Sequence, residues 1–146
     1  MSLNRIVIIG EAPSKRGDSS EPCGGAIGTV LADVFGVTYE QYLVDFDRFN
    51  LLDKYPGAEG RGAAFEAEAA RAKFLEMREY LRDRVVVVLG KRAAKACMLD
   101  QVFLTWQVWG AVYTVFPHPS GLNTWWNDIA NINQAVEHAR AVKAFA

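Results

Sequence analysis

The pattern of apolar and polar positions along the chain predicts strands that alternate with helices. Three short runs, RIVIIG, RVVVVLG and AVYTVF, are rich in β-branched residues and carry few polar side chains. Such runs are typical of strands that are covered on both faces. A fourth run, FDRFNLL, is less regular. The predicted strands span residues 5–10, 46–52, 84–90 and 111–116.

Apolar residues at intervals of three and four positions predict the helices. Thr38 is a candidate N-cap, Gly36 a candidate C-cap, and the stretch 53–62 contains Pro56 and three glycines, which favours a loop. The predicted helices span residues 25–35, 39–43, 63–82, 91–99 and 129–145. In the last helix, we expect the inward positions to be Ile129, Ile132, Val136 and Ala139.

Strands that alternate with helices require crossover connections, which place the strands parallel and the helices on both faces of the sheet. We therefore expect an α/β fold, a three-layer α/β/α sandwich with a short, mainly four-stranded parallel sheet, in a single domain over residues 1–146. Ligands of such sheets bind at the carboxyl ends of the strands. The candidate loops therefore begin at Gly10, Asn50, Gly90 and Pro117.

Charge and cysteine content narrow the classes of function. A formal net charge of −1 excludes a strongly basic tail, so any contact with nucleic acid requires a local group of cations. Cys23 and Cys97 are too few for a disulfide framework and too far apart for a metal site. With no predicted signal peptide or membrane span, we expect a cytoplasmic protein, and a monomer.

Six cations in the candidate loops would form a positive rim that suits a phosphate-bearing ligand, although such side chains also serve simply to solvate loops. They are Lys15, Arg16, Lys54, Arg61, Lys91 and Arg92.

Two side chains in these loops are candidates for chemistry. His118 follows a strand and lies between two prolines, which stiffen the backbone and fix the aim of the ring. Glu11 is a candidate base, a hydrogen-bond acceptor for a substrate, or the cap of a following turn. By contrast, we expect His138 to be a surface residue of the last helix, and Trp125 and Trp126 to be core residues rather than stacking surfaces for bases.

Four segments of the chain, in order, resemble the motifs of the uracil-DNA glycosylase superfamily. GEAPS at 10–14 is similar to the GEAPG motif of the iron-sulfur-containing thermophile branch and to GINPG of the mismatch-specific branch. PCGGAIGTVL at 22–31 resembles the segment with the base-stacking aromatic, and FDRFNLL at 46–52 resembles the strand that presents the base-recognising asparagine. HPSGLN at 118–123 resembles the HPS of the classical enzymes joined to the SGLN of the mismatch-specific ones.

The resemblance implies hydrolysis of the N-glycosidic bond of uracil or a related modified base in DNA, after base flipping and without a cofactor or metal. It implies that His118 donates to the pyrimidine O2, Asn50 recognises the base edge and Leu122 fills the vacated stack. The implied catalytic residues are Glu11 and His118; the implied substrate-binding residues are Gly10, Ala12, Pro13, Cys23 and Asn50; the implied contacts to DNA phosphates or strands are Ser14, Lys91, Ser120, Gly121, Leu122 and Asn123.

The chain departs from the family pattern at two positions. Ala12 stands where the classical enzymes have an activating Asp and the mismatch-specific ones an Asn, so water positioning would fall to Glu11. Cys23 stands in place of the stacking aromatic. Moreover, two cysteines cannot ligate the cluster of the thermophile branch. Two alternatives therefore remain open, namely a module that binds nucleic acid or nucleotides without catalysis and a glycosidase that acts on free nucleotides.

Overall fold

The computed structural model describes residues 5–13, 21–53, 66–120 and 123–146. The strands are β1 (Val7–Gly10), β2 (Asp47–Asn50), β3 (Val85–Leu89), β4 (Gln107–Val108) and β5 (Val112–Phe116). The helices are α1 (Gly25–Phe35), α2 (Tyr39–Asp45), α3 (Ala67–Leu81), α4 (Lys91–Ala96) and α5 (Ile129–Phe145), and a 3₁₀ turn spans Thr124–Asn127. The predicted loop at 53–62 lies outside the described residues except for its first position.

The five strands form one sheet in the order β2-β1-β3-β5-β4. Parallel pairing joins β1 to β2 and β3, and joins β3 to β5, so the carboxyl ends of four strands lie along one edge. This arrangement confirms the α/β prediction. The sheet has one strand more than expected, because the two-residue β4 pairs antiparallel with β5 at the border of the sheet.

Both faces of the sheet are covered, as the apolar character of the strands predicts. On one face, the side chains of Val7, Ile9, Val86 and Val88 belong to a buried cluster with α3 and α4. On the other, the side chains of Ile8, Val87 and Leu89 pack with α1, α2 and α5. The result is the expected three-layer sandwich.

Local signals explain where several helices begin and end. Gly36 ends α1 with a φ of 70°, and Thr38 begins α2 with a capping box in which its hydroxyl accepts from Gln41 N. The prediction of the inward face of α5 was partly wrong, because Ile129 is 74% exposed. The face that packs on the sheet is carried by smaller side chains, namely Ala135, Ala139 and Val142.

The interpretation of His138 as a surface residue was wrong. Its ring is half-buried, its Nε2 lies 2.7 Å from Thr114 Oγ1, and it packs against Trp106 and Phe116. Burial lowers the pKa of the His138 imidazole. This histidine therefore belongs to the packing between α5 and the sheet.

Candidate active site

An open cleft of about 590 Å³ lies where the loops after β1, β2 and β5 meet. It follows from the topology, because parallel strands bring the residues after their carboxyl ends to one edge. The predicted residues that line it are Gly10, Glu11, Ala12, Pro13, Cys23, Asn50, His118 and Ser120. The imidazole and the carboxamide are thus parts of one concave surface.

Gly10 allows two neighbouring side chains to approach the end of β1. It pairs with Asn50 in the sheet, and a Cβ on it would lie 2.7 Å from Cys23 Sγ and 2.8 Å from Asn50 Oδ1. Real Cβ atoms essentially never come so close to other atoms. Glycine at this position is therefore a requirement for placing both side chains at the floor of the cleft.

Cys23 is buried and holds a left-handed backbone conformation with a φ of 55°. Its thiol donates to Phe49 O at 3.5 Å and lies 3.8 Å from Asn50 Oδ1, within reach of a weak hydrogen bond. Burial raises the pKa of the Cys23 thiol to about 12. Because the thiolate is the nucleophilic form, this cysteine is an unreactive hydrogen-bond donor at neutral pH.

The segment around Cys23 is tied to α2 and β2. Tyr42 Oη donates to Cys23 O at 2.8 Å, Tyr39 Oη accepts from Gly25 N at 2.9 Å, and Arg48 donates to Pro22 O at 2.9 Å. These three bonds hold a strained turn that a cysteine would not keep by itself.

Glu11 is fixed by an ion pair with Arg92 at the start of α4. Arg92 Nη2 lies 2.6 Å from Glu11 Oε1, and the Glu11 side chain is only 13% exposed. Gly90, with a φ of 91°, lies beside them, and a Cβ there would be 3.0 Å from Glu11 Oε2 and 3.3 Å from His118 Cβ. The carboxylate and the imidazole therefore approach the same glycine from two different loops.

The environment of His118 keeps its ring neutral. Burial lowers the pKa of the imidazole, the Glu11 carboxylate raises it, and the Arg92 guanidinium lowers it again, with a net decrease. A neutral imidazole presents one N–H donor and one acceptor nitrogen. Such a ring can donate to an oxygen on which negative charge develops without carrying a full charge of its own.

The loop that carries His118 is held through its backbone. The His118 carbonyl accepts from Ser120 N at 2.9 Å, from Asn123 Nδ2 at 2.9 Å and from Trp126 Nε1 at 3.1 Å. Three donors on one carbonyl restrict the loop and hence the aim of the ring. Trp125 and Trp126 are half-buried and pack edge to face, and Trp126 holds this loop through its bond to the His118 carbonyl.

Two residues that were predicted to contact DNA, Asn123 and Lys91, are not part of the cleft lining. The carboxamide of Asn123 is engaged at both ends, since its Oδ1 also accepts from Trp125 N at 3.1 Å. The ammonium of Lys91 lies 5.5 Å from the centre of the Phe103 ring. Their contact with DNA stays a prediction. Ser14, Gly121 and Leu122 lie outside the described residues, as do Lys15, Arg16, Lys54 and Arg61 of the predicted rim.

Sequence reasoning missed the second wall of the cleft. The segment 22–31 was singled out by its resemblance, but only Cys23 within it was named as a site residue, because the other residues are mostly glycine or apolar and carry no chemical signal in isolation. The lining residues that were not predicted are Glu21, Gly24, Gly25, Ala26, Ile27, Tyr39, Leu89 and Pro119.

The described ranges contain neither a group of side chains suited to a metal ion nor a helix suited to a membrane. Across residues 5–13, 21–53, 66–120 and 123–146, no group of three or more His, Cys, Asp or Glu side chains has a geometry that could hold a metal ion. No helix in those ranges is both long and apolar enough to cross a bilayer.

Comparison with known proteins gives the chain its family. No curated protein matches it. The sequence profile of the uracil DNA glycosylase superfamily matches residues 3–141, which include every strand and helix except the last turn of α5. The match extends from before GEAPS to beyond HPSGLN, so both loops fall within it. The chain belongs to the uracil DNA glycosylase superfamily.

Proposed function

We propose that this protein hydrolyses the N-glycosidic bond of uracil or a related modified base in DNA. The observation that supports this most directly is that Glu11, Asn50 and His118 line one open cleft at the carboxyl edge of the sheet. These residues supply an acid, an amide and an imidazole, which are the groups that such a reaction uses. Membership of the superfamily supports glycosylase chemistry in general.

The proposed reaction begins with a nucleotide flipped out of the stack, because a base inside a duplex cannot reach the cleft. The glycosidic bond then breaks, leaving positive charge on the sugar and negative charge on the base. The N–H of neutral His118 donates to the pyrimidine O2 and stabilises that negative charge. Glu11 orients the water whose hydroxyl adds to the cationic sugar carbon, and the proton that this water loses neutralises the anionic base, which leaves.

Asn50 contributes recognition rather than bond cleavage. Its Oδ1 lies toward the Cys23 thiol, and among the described residues its amide nitrogen has no hydrogen-bond partner. The amide nitrogen is then available to donate to a base carbonyl. A base with a carbonyl at that edge, such as uracil, fits this donor better than one with an amino group.

The test is incubation of the purified protein with single-stranded and duplex oligonucleotides that contain uracil or one of several modified bases, followed by alkali. Strand cleavage at the modified position that depends on His118 is expected. A parallel incubation with deoxyuridine and its monophosphate separates DNA from free nucleotides as substrate. Absence of base release from every substrate would overturn the proposal.

A second candidate function is binding without cleavage. It is favoured by Cys23, whose thiol presents a far smaller face than an aromatic ring and would hold a flipped base less firmly. Ala12, on the loop where other branches carry an activating side chain, favours it as well. Salt-dependent binding of DNA without release of any base would select this candidate.

A further inference from the structure

The ion pair between Arg92 and Glu11 joins two parts of the chain that are 81 positions apart. Arg92 Nη2 lies 2.6 Å from Glu11 Oε1, whereas a Cβ on Gly90 would lie 3.0 Å from Glu11 Oε2 and 3.3 Å from His118 Cβ. Each oxygen of the carboxylate therefore has a different environment. One is engaged by a guanidinium, and the other lies beside Gly90, the glycine that the His118 ring also approaches.

A carboxylate that orients water must keep one orientation, and a free Glu side chain samples many rotamers at a cost in entropy when it is ordered. A charge-assisted hydrogen bond of 2.6 Å restricts those rotamers. The Glu11 side chain is 13% exposed and that of Arg92 is 44% exposed, so the carboxylate is the more buried member of the pair. The geometry of the pair is thus suited to holding Glu11 in place.

We infer that Arg92 is a positioning residue, which holds Oε1 of Glu11 so that Oε2 is left to orient the attacking water. This inference rests on the proposed function, since it requires a hydrolytic role for Glu11. The other role for a cation at this edge is a contact with a DNA phosphate. Positioning is favoured because the guanidinium already engages Glu11, so a phosphate would have to compete for it.

The two members of the pair act on His118 in opposite directions. Glu11 raises the pKa of the imidazole and Arg92 lowers it, so both charges lie close enough to affect the ring. Loss of the guanidinium should therefore raise the pKa of His118. This gives a readout that does not depend on catalysis and that reports whether the Arg92 guanidinium lies beside Glu11 and His118 in solution.

The test compares Arg92→Gln and Arg92→Lys with Lys95→Gln, which removes a positive charge from an exposed position of the same helix. Single-turnover rates and dissociation constants are measured with uracil-containing DNA at two salt concentrations. Arg92→Gln is expected to lower the rate about tenfold to hundredfold, because small misplacements of a reacting group are costly. Its affinity for DNA should match that of Lys95→Gln, and Arg92→Lys should recover part of the rate.

A second measurement follows His118 by NMR during a pH titration of each variant. A raised pKa in Arg92→Gln and an unchanged one in Lys95→Gln are expected. Weaker, more salt-dependent binding with an unchanged rate, or an unchanged pKa of His118, would overturn the inference. If the wild type releases no base at all, the proposed function is wrong and the inference is wrong with it. If the wild type is active and Arg92→Gln has the same rate, only the inference is wrong.

Discussion

The charged side chains at the amino ends of the parallel strands (the amino edge) are paired differently from those at the carboxyl ends (the carboxyl edge). At the amino edge, Asp47 accepts from Arg5 at 3.1 Å, from Arg84 at 2.8 Å and from the Tyr80 hydroxyl at 2.5 Å. Both of its oxygens are engaged, and Arg84 also stacks on the Tyr80 ring at 4.1 Å. This edge forms a closed network in which a buried charge has several partners.

At the carboxyl edge, the polar groups face an open cleft and are less completely paired. Oε1 of Glu11 is held by Arg92, the His118 ring is desolvated, and Cys23 keeps a positive φ. Groups arranged in this way are costly to stability, and proteins retain them where they act on a ligand. The difference is the one expected if the amino edge stabilises the fold and the proposed reaction takes place at the carboxyl edge.

The largest expected effect is the loss of base release when His118 at the carboxyl edge is replaced. His118→Ala should lower base release by about 10² to 10⁴-fold, the range expected for a group that transfers or shares a proton in the transition state. Its free energy of unfolding should change little, because the ring lies in the cleft lining. Single-turnover assays and urea denaturation measure the two quantities.

The matched control for that variant is His138→Ala, which removes the other imidazole. It leaves the buried Thr114 hydroxyl without its partner, so a loss of about 1–3 kcal/mol in the free energy of unfolding is expected. Its rate per folded molecule should stay near that of the wild type. Equal losses of activity in the two variants would contradict a special role for His118.

The next effect concerns stability at the amino edge. Asp47→Asn leaves Arg84, whose side chain is 6% exposed, without its anionic partner, and should reduce the free energy of unfolding by about 2–4 kcal/mol. Base release per folded molecule should be unchanged. Urea denaturation of both proteins checks the loss, and a variant as stable as the wild type would remove the distinction between the edges.

The pH dependence of that loss follows from Asp47 itself. Desolvation raises its pKa, but hydrogen bonds from Tyr80, Arg5 and Arg84 outweigh it and hold the pKa below the ordinary value. The stabilisation is therefore complete above about pH 3.9, the value in the unfolded chain, and is lost as the pH falls through the lower folded value. The wild type and Asp47→Asn should converge in stability over that acidic range.

The sequence was sufficient to predict the layers of the fold and the edge that holds the cleft. The runs before Gly10 and Gly90 are apolar because β1 and β3 are covered on both faces, and this pattern identifies strands directly. The two-residue β4 has no such pattern, and its pairing with β5 is visible only in three dimensions. Short border strands are set by tertiary contacts rather than by periodicity.

The candidate site was predictable to a similar degree. Topology brings the residues that follow parallel strands together, so Glu11, Asn50 and His118 could be grouped in advance. Two other contacts could not be predicted, namely the ion pair of Glu11 with Arg92 and the packing of His138 against Trp106. Each of them joins segments that are distant in sequence. Such pairings depend on side-chain geometry, about which the spacing of residues carries no information.

A smaller effect is expected in the pH dependence of the rate of base release, which reports on His118 at the carboxyl edge. Burial lowers the pKa of His118, so the neutral ring persists below the ordinary value of about 6.5. If the neutral form is the active one, the rate should be constant from pH 8 down to about 6.5 and fall only below it. A single-turnover rate profile tests this, and a rate that increases as the ring becomes cationic would contradict the role given to His118.

The smallest expected effect concerns Cys23, whose thiol is a hydrogen-bond donor at the position where the family resemblance implies an aromatic side chain. Cys23→Ala removes the weak bond to Asn50 Oδ1, worth about 0.5–1 kcal/mol, and should lower the rate about two- to fivefold. Cys23→Ser keeps a donor, and its rate should lie between those of the alanine variant and the wild type.

The control is Cys97→Ala, at a cysteine buried in the layer formed with α3 and α4, which should change stability alone. If Cys23→Ala and Cys97→Ala have equal rates, the thiol does not act through Asn50. The order wild type, serine, alanine would show that this wall of the cleft orients the amide that meets the base.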